Sequence, residues 1–470
     1  MPSQSTRKHK LQTLAIIWAL AWPTMLEQLL QTAVQYIDTA MVGTLGTGAT
    51  AAVGSTTTVN WLVIGSISAL GVGFLAYIAR ALGAQDVESA RRAVGQASLL
   101  VLIVGVFFTV LTVSLSPFIP TWMQVDEPLR ATASRYFMII YLPMLPRAAT
   151  SIFGTVLRAA GDTKTPLKIG IAVNVVNTVL NYFLIFPTRD ISLFSLDFTM
   201  IGAGLGVVGA AIASAVAFTV GGIAITVAVW RHPLISPRGQ SLRPDPTILR
   251  PCLRVALPNM LQSFATSFGY VAFASMINSL GDIAAAAHTF ANTIESLFYI
   301  PGYGMKAASA TLTGNAYGAG DARRMREVSR MLIPLEIVLM MLSGGALFVL
   351  APWLMDMFSD DPSVIVLGST VLRMVAFSEP FFGFSIIVEG LMQGVGQTRK
   401  PFVYNVIGMW GVRIVGTYIC TQIYSMGLVS AWACMILHNV LLFGCFLVAY
   451  LRGSWNPLHK ADSPLPDTTE

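Results

Sequence analysis

Gly161-Asp162-Thr163-Lys164-Thr165-Pro166 recurs as Gly396-Gln397-Thr398-Arg399-Lys400-Pro401, 235 residues further along a chain of 470. The offset is half the chain. Working outward at the same offset, Pro23, Met25 and Leu26 fall on Pro258, Met260 and Leu261, and Leu45-Gly46 falls on Leu280-Gly281. Gly83, Ala84, Asp86 and Arg91 fall on Gly318, Ala319, Asp321 and Arg326. Chance yields a few such coincidences, but not this many at one offset without a gap. The chain reads as a duplication.

Its composition states where the duplicated unit lives. Hydrophobic residues make up 54% and charged residues only 11%, with a mean hydropathy of +0.67. Soluble domains carry roughly 25% charged residues, so a soluble two-domain enzyme is excluded, and the apolar content excludes a disordered chain. Cys252, Cys420, Cys434 and Cys445 all stand inside apolar runs, as small buried hydrophobes do, and not in a disulfide framework. What remains is a polytopic membrane protein.

A membrane-crossing helix needs about 20 largely apolar residues. Twelve such stretches are predicted, at 12–41, 48–79, 93–117, 131–157, 165–187, 200–230, 249–279, 284–315, 328–354, 363–393, 402–424 and 427–451. Pro23, Pro143, Pro146, Pro258, Pro301 and Pro380 supply places to bend. Arg7, Lys8 and Lys10 precede the first run, but no small-residue cleavage site follows, so it is expected to be an uncleaved span.

Basic residues mark every second connection: Arg80/Arg91/Arg92, Arg158/Lys164/Lys168, Arg231/Arg238/Arg243/Arg250/Arg254, Arg323/Arg324/Arg326/Arg330, Arg399/Lys400 and Arg452/Lys460. The alternate connections are mainly acidic, with Asp126/Glu127, Asp190/Asp197 and Asp356/Asp360/Asp361, and with Arg130, Arg135 and Arg189 as exceptions. The positive-inside rule then puts both termini in the cytoplasm. It also accounts for the net charge of +6 without nucleic-acid binding.

Six spans per half is an even number, so the two halves run parallel and their axis lies along the membrane normal. The expected fold is all-α, with a cytoplasmic N-terminus (1–11), an N-lobe of spans 1–6 (12–230), a cytoplasmic linker (231–248) and a C-lobe of spans 7–12 (249–452). A disordered cytoplasmic tail (453–470) follows. Such a duplicated bundle with a seam is a transporter's architecture, since rocking one lobe on the other alternates access to a site between them.

Asp38-Thr-Ala-Met-Val-Gly-Thr-Leu-Gly46 after Pro23 resembles the opening signature of the multidrug and toxic compound extrusion (MATE) family. So do Leu157-Arg-Ala-Ala-Gly-Asp-Thr-Lys-Thr-Pro166 and Asn177-Thr-Val-Leu-Asn-Tyr-Phe-Leu-Ile-Phe186. Glu295-Ser-Leu-Phe-Tyr-Ile-Pro-Gly302, continuing to Gly314-Asn-Ala-Tyr-Gly-Ala-Gly-Asp321, is similar to the eighth span and following loop of one bacterial branch. The resemblance covers residues 12–452. It implies a monomeric exporter in the bacterial cytoplasmic membrane, expelling cationic or amphipathic small molecules in exchange for protons or sodium ions, with no other cofactor.

Ionisable residues at bilayer depth cost several kcal/mol, about 2.5–3.5 on insertion scales, so each asks for a partner or a task. Glu27 and Asp38 lie eleven residues apart in span 1, nearly three turns, and so share one helix face. Asn174, Asn177 and Asn181 form a stripe on span 5 whose amides suit a carboxylate's network or a hard cation. The family's amino-lobe cation site maps by resemblance onto Asp38, Asn177, Asn181 and Ser214, with Asn181 replacing a second carboxylate and Thr266 an acid found in other branches. Sodium at Asp38, Asn177 and Asn181 is the one metal expected. Asp38 is expected to be the coupling carboxylate, and a single titrating group favours proton carriage.

In the C-lobe, Glu295, Glu379 and Arg413 fall at mid-membrane, where depth permits pairing, and Glu389 and Lys306 form a second expected pair nearer the cytoplasm. Glu295 is the expected counter-charge for cationic substrates. Arg147 is the remaining basic group at depth, while His288 and His438 stand without ligand-spaced companions. Two other functions are weighed. A lipid-linked precursor flippase would carry a strongly cationic cavity, whereas acids predominate here. An intramembrane enzyme would need a motif such as H-E-x-x-H, which is missing, as is the G-x-x-x-x-G-K-[ST] of an ATP-driven pump.

Overall fold

In a bilayer the backbone must satisfy its own hydrogen bonds, so apolar runs of this length fold as helices. The computed structural model describes residues 4–459 apart from 124, 126, 194 and 195. Asp126, Lys460 and the tail from 460 lie outside the described residues, as do the side chains of Arg7, Lys8, Lys10, Arg189, Asp190 and Asp197.

The first half comprises α1 (Gln4–Gly43), α2 (Thr47–Gly83), α3 (Val87–Leu115), a single turn α4 (Ile119–Trp122), α5 (Glu127–Tyr141), α6 (Met144–Ala159) and α7 (Lys164–Ile185). An antiparallel hairpin, β1 (Pro187–Leu193) and β2 (Leu196–Ala203), leads into α8 (Gly206–Arg231). The second half comprises α9 (Pro246–Asn278), α10 (Asp282–Gly318), α11 (Ala322–Asp356), α12 (Pro362–Ala376), α13 (Glu379–Gly394) and α14 (Arg399–Val406). α14 runs on through a π-helical stretch (Ile407–Ile414), α15 (Val415–Tyr418) and a second π stretch (Ile419–Ile423), before α16 (Leu428–Leu451).

Among the described residues, nine single helices are long and apolar enough to cross a membrane. Two bent pairs also qualify, α5 with α6 at 48° and α12 with α13 at 52°. These are the fourth and tenth predicted stretches, broken beside Pro143 and Pro380. Pro23, Pro258 and Pro301 sit inside unbroken helices instead. α10 has the length, at 37 residues, but carries Glu295 and Lys306 and falls short in apolar character.

The sixth span starts later than the expected residue 200, because residues 200–203 belong to β2. Gly204 (φ +63°) and Gly206 (φ +56°) adopt left-handed backbone that a side chain would strain, and they end the strand before the helix can begin. The expected disorder after 453 is also corrected in part. Trp455 is buried and stacks on Tyr450 with ring centroids 5.5 Å apart, because this apolar side chain finds a groove beside α16.

Positions that the half-length offset superimposes do the same local work. Asp86 accepts from the Ser89 N–H at 2.9 Å and Asp321 from the Arg324 N–H at 2.8 Å, each capping the following helix. Gly161 and Gly396 turn with φ of +85° and +81°. The Thr163 hydroxyl donates to the Ala19 carbonyl at 3.4 Å, and that of Thr398 to the Val255 carbonyl at 2.7 Å.

The halves meet at the end that carries the basic connections after α2 and α10. Lipid is as apolar as leucine, so helices associate here through close van der Waals contact, which small residues permit. A Cβ on Gly83 would overlap the Asn315 carbonyl, and one on Gly318 would overlap the Arg80 carbonyl. Gly73 lies against the Cys252 carbonyl, Gly304 against Met25, and Gly314 against Ala79. Around these contacts the core is shared: Ile248, Cys252 and Ala256 of α9 join the first half's cluster, while Ile17, Leu20 and Ala21 of α1 join the second's.

Gly83→Val should therefore lower stability by about 1–3 kcal/mol through overpacking, seen as a reduced unfolding temperature in detergent. Gly345→Val, at a position where an added Cβ meets nothing within 4 Å, should change it little. Equal losses in both variants would show that the seam is not the cause.

Candidate functional site

Asn177 and Asn181 stand one turn apart on α7 and are 5% and 1% exposed. Both face Asp38 of α1. The Asn181 Nδ2 donates to Asp38 Oδ1 at 2.5 Å. In the orientation that gives both ends of its amide a partner, Asn177 donates to Asp38 Oδ1 at 2.8 Å and Oδ2 at 3.2 Å, and its oxygen accepts from the Ser214 hydroxyl of α8 at 3.0 Å. Three helices thus converge on one carboxylate, and four residues drawn from separate parts of the sequence become one hydrogen-bonded group. The Asn181 oxygen has no protein partner, and neither has the Nδ2 of Asn174, which stays outside the group.

Glu27 is placed elsewhere. Although it shares a helix face with Asp38, its carboxylate pairs with Arg158 Nη1 of α6 at 3.2 Å. The other Arg158 nitrogen, Nη2, donates to Thr155 Oγ1 at 3.1 Å, and the Arg158 carbonyl accepts from Thr311 Oγ1 across the seam at 3.2 Å. The pair belongs to the closed end. Asp38, thirteen residues beyond Met25 of the seam, is about 20 Å further along α1 at 1.5 Å per residue. Arg147 is buried, with no acid in ion-pair contact among the described residues: its Nη2 donates to Asn60 Oδ1 at 2.6 Å, and its guanidinium lies over the Phe218 ring, 4.4 Å from the centroid.

In the second half the expected pair of Lys306 and Glu389 forms, with Nζ 2.9 Å from Oε1. The amides of Gln262 and Gln393 donate to the same oxygen at 2.9 and 3.2 Å, and Gln393 continues to Asn259 Oδ1 at 3.0 Å. The expected pairing of Arg413 with Glu295 and Glu379 is not found. Tyr270 and Phe273, three residues apart on α9, present their faces to Arg413 at 5.0 and 4.1 Å, so the cation lies over aromatic rings. Its Nε lacks a hydrogen-bond partner.

Glu336 is the residue that sequence reasoning missed. It is fully buried on α11 against Gly302 and Gly383, with neither carboxyl oxygen partnered. An acid inside the predicted span 328–354 was the available signal. His288 stands edge-on between Phe273 and Trp432, and His438 packs on Gly408 of the π stretch. Among the described residues no three His, Cys, Asp or Glu side chains are grouped to hold a metal.

Lys306→Met should cost about 3–5 kcal/mol, because it strands the Glu389 charge among buried groups. Adding Glu389→Leu should recover much of that loss. The pair of unfolding temperatures tests this, and a double variant no more stable than Lys306→Met would refute it.

The MatE family model matches residues 23–183 and 258–419, beginning at the two prolines that the half-length offset superimposes. A protein of Thermotoga maritima named probable multidrug resistance protein NorM is 26% identical over 436 residues, covering 93% of this chain and 92% of its own. Probable multidrug resistance protein YoeA of Bacillus subtilis is 24% identical, covering 87% of each chain. A crystal structure of MATE in the bent conformation shares the fold with a TM-score of 0.84 at 23% identity, covering 98% of this chain and 99% of that one. With two matched segments in register with its own repeat, and a fold shared over nearly its whole length, this chain belongs to the MatE family of multi-pass membrane transporters.

Proposed function

We propose that the protein is a secondary exporter of cationic or amphipathic small molecules, driven by inward movement of protons at Asp38. The observation that carries this reading is the single carboxylate of Asp38 held by two amide donors at depth. One carboxylate offers a sodium ion a single formal charge, whereas proton carriage needs only one titrating group. That arrangement supports proton carriage over sodium. Loading would remove the carboxylate charge and weaken the hydrogen bonds from Asn177 and Asn181, and both stand on α7, so protonation reaches the packing of three helices.

The names of the relatives support drugs as the cargo, and the buried acids of the second half support a cationic one. Glu295 is the counter-charge in this reading, with Arg413 held aside by its aromatic neighbours. α10, the eighth predicted span, completes the set of twelve crossings in spite of its polar residues, so that both termini lie in the cytoplasm of a bacterium and the basic connections face inward. The closed seam is then the cytoplasmic end, and alternation requires it to part while the opposite end closes. A monomer suffices for this cycle, because both lobes belong to one chain.

Efflux from proteoliposomes under an imposed pH or sodium gradient tests the reading. The wild type should respond to the pH gradient, while Asp38→Asn should remain folded in detergent and lose gradient-driven efflux. Normal efflux from that variant, or a response to sodium alone, would sink the proposal. Glu295→Gln should reduce efflux of a cationic substrate by tenfold or more, the order of a lost charge contact, while sparing a neutral one; equal retention of both would remove Glu295 from substrate binding.

A further inference from the structure

A second site lies at the basic end, where α8 passes into the linker. Arg91 of α3 spends its guanidinium on the linker backbone, Nε donating to the Leu234 carbonyl and Nη2 to the Pro233 carbonyl, both at 3.0 Å. Ile235 is fully buried beneath them, and the Ser236 hydroxyl donates to the Trp230 carbonyl at 2.7 Å. This strap borders an open recess of about 390 Å³ lined by Arg91, Trp230, Arg231, His232, Ser236 and Arg238, within the size range of small-molecule sites.

Among the described residues, ion pairs do not neutralise the guanidinium charge of the recess. Arg92 nearby is neutralised by Asp245 at 2.5 Å, but among the described residues neither Arg231 nor Arg238 has a carboxylate within ion-pair distance. The acid whose field reaches the recess is Asp162, and its Oδ1 is taken by the Thr165 N–H at 3.0 Å. Burial holds the His232 imidazole below its ordinary value, so it is neutral at pH 7. Its Nδ1 accepts from the Leu234 N–H at 3.3 Å, which leaves Nε2 as a hydrogen-bond donor. Two guanidinium groups and an imidazole N–H form a donor set for phosphate.

The surroundings decide which phosphate. Arg231 is the last residue of α8, whose 26 residues span about 39 Å and so carry it just past a hydrocarbon layer of roughly 30 Å. Ile223 and Val227 precede it at four-residue spacing, 59% and 42% exposed, so one apolar stripe of α8 runs straight into the recess. Leu234 adds an exposed apolar rim at 47%. A soluble phosphate has no use for that stripe, whereas acyl chains do. The geometry points to a binding site for the phosphate headgroup of an acidic phospholipid, held by Arg231, Arg238 and His232 with its chains along Ile223 and Val227.

The full-length protein in detergent, titrated with dioleoylphosphatidylglycerol or dioleoylphosphatidylcholine and read by native mass spectrometry, tests this. Phosphatidylglycerol should bind at least fivefold more tightly, the order of one interfacial arginine. Arg231→Gln/Arg238→Gln should abolish the preference, and Arg323→Gln/Arg324→Gln, an equally basic pair outside the recess, should keep it. Glycerol 3-phosphate at the same concentration should not displace the lipid. A preference unchanged in the first pair, lost equally in the control pair, or abolished by glycerol 3-phosphate would each overturn the site. Unfolding temperatures in phosphatidylcholine alone should match across the variants; if the double variant is unstable, Arg238→Gln alone, on exposed chain, should still weaken phosphatidylglycerol binding severalfold.

Discussion

The approach of α2 to α10 at Gly83 and Gly318 sets the arrangement of the two halves. Each glycine faces the other helix's backbone carbonyl, at Asn315 and Arg80, so the helices meet main chain to main chain. In hydrocarbon no hydrophobic effect drives helices together, and contact quality decides where they bind. The glycines and alanines at this end permit that contact, and α1 and α9 each lend residues to the opposite half's core. Everything beyond the seam, including Asp38 about 20 Å along α1, is positioned by it.

The halves share their punctuation but not their electrostatics. In the first, the carboxylate of Asp38 is wrapped by amides on a neighbouring helix, and the buried Arg147 rests on Asn60 and an aromatic ring. In the second, Glu389 is paired with Lys306 and two glutamines, whereas Glu336 and one oxygen of Glu379 are left without partners. Duplication supplied the scaffold twice, and buried polar residues then diverged. Unpartnered carboxylates are costly in a low dielectric, so the second half holds its charge under greater constraint than the first.

Much of the architecture was legible because membranes simplify the code. Helix length is dictated by bilayer thickness, and every one of the twelve predicted stretches overlaps a helix or a bent helix pair. The Gly-x-Thr turn could be read in both copies, since a left-handed glycine is a local requirement, whereas the threonine hydroxyls reach carbonyls of other helices at Ala19 and Val255. The hairpin at Pro187–Ala203 was not legible, because most of it reads as a polar connection around Asp190 and Asp197 and the end of β2 as the start of the sixth apolar run. Nor was the docking of Trp455, which depends on a groove beside Tyr450 that only packing creates.

For the site, residue type and depth singled out Asp38 and the asparagine stripe and paired Lys306 with Glu389, while Ser214 came only from the family resemblance. They could not separate Glu27 from Asp38, because helical phase says which face a residue shares and not what stands opposite. Arg158 stands opposite Glu27, and two amides stand opposite Asp38. The same limit explains Arg413, assigned to acids by depth and found over Phe273 and Tyr270. The sequence by itself determined a duplicated, membrane-spanning, predominantly helical chain and the places where charge is expensive, because burial cost and helix length depend on residues along one chain. Only the tertiary structure decided which charges meet, because partners come from helices distant in sequence whose rotation and depth are set by packing at the seam.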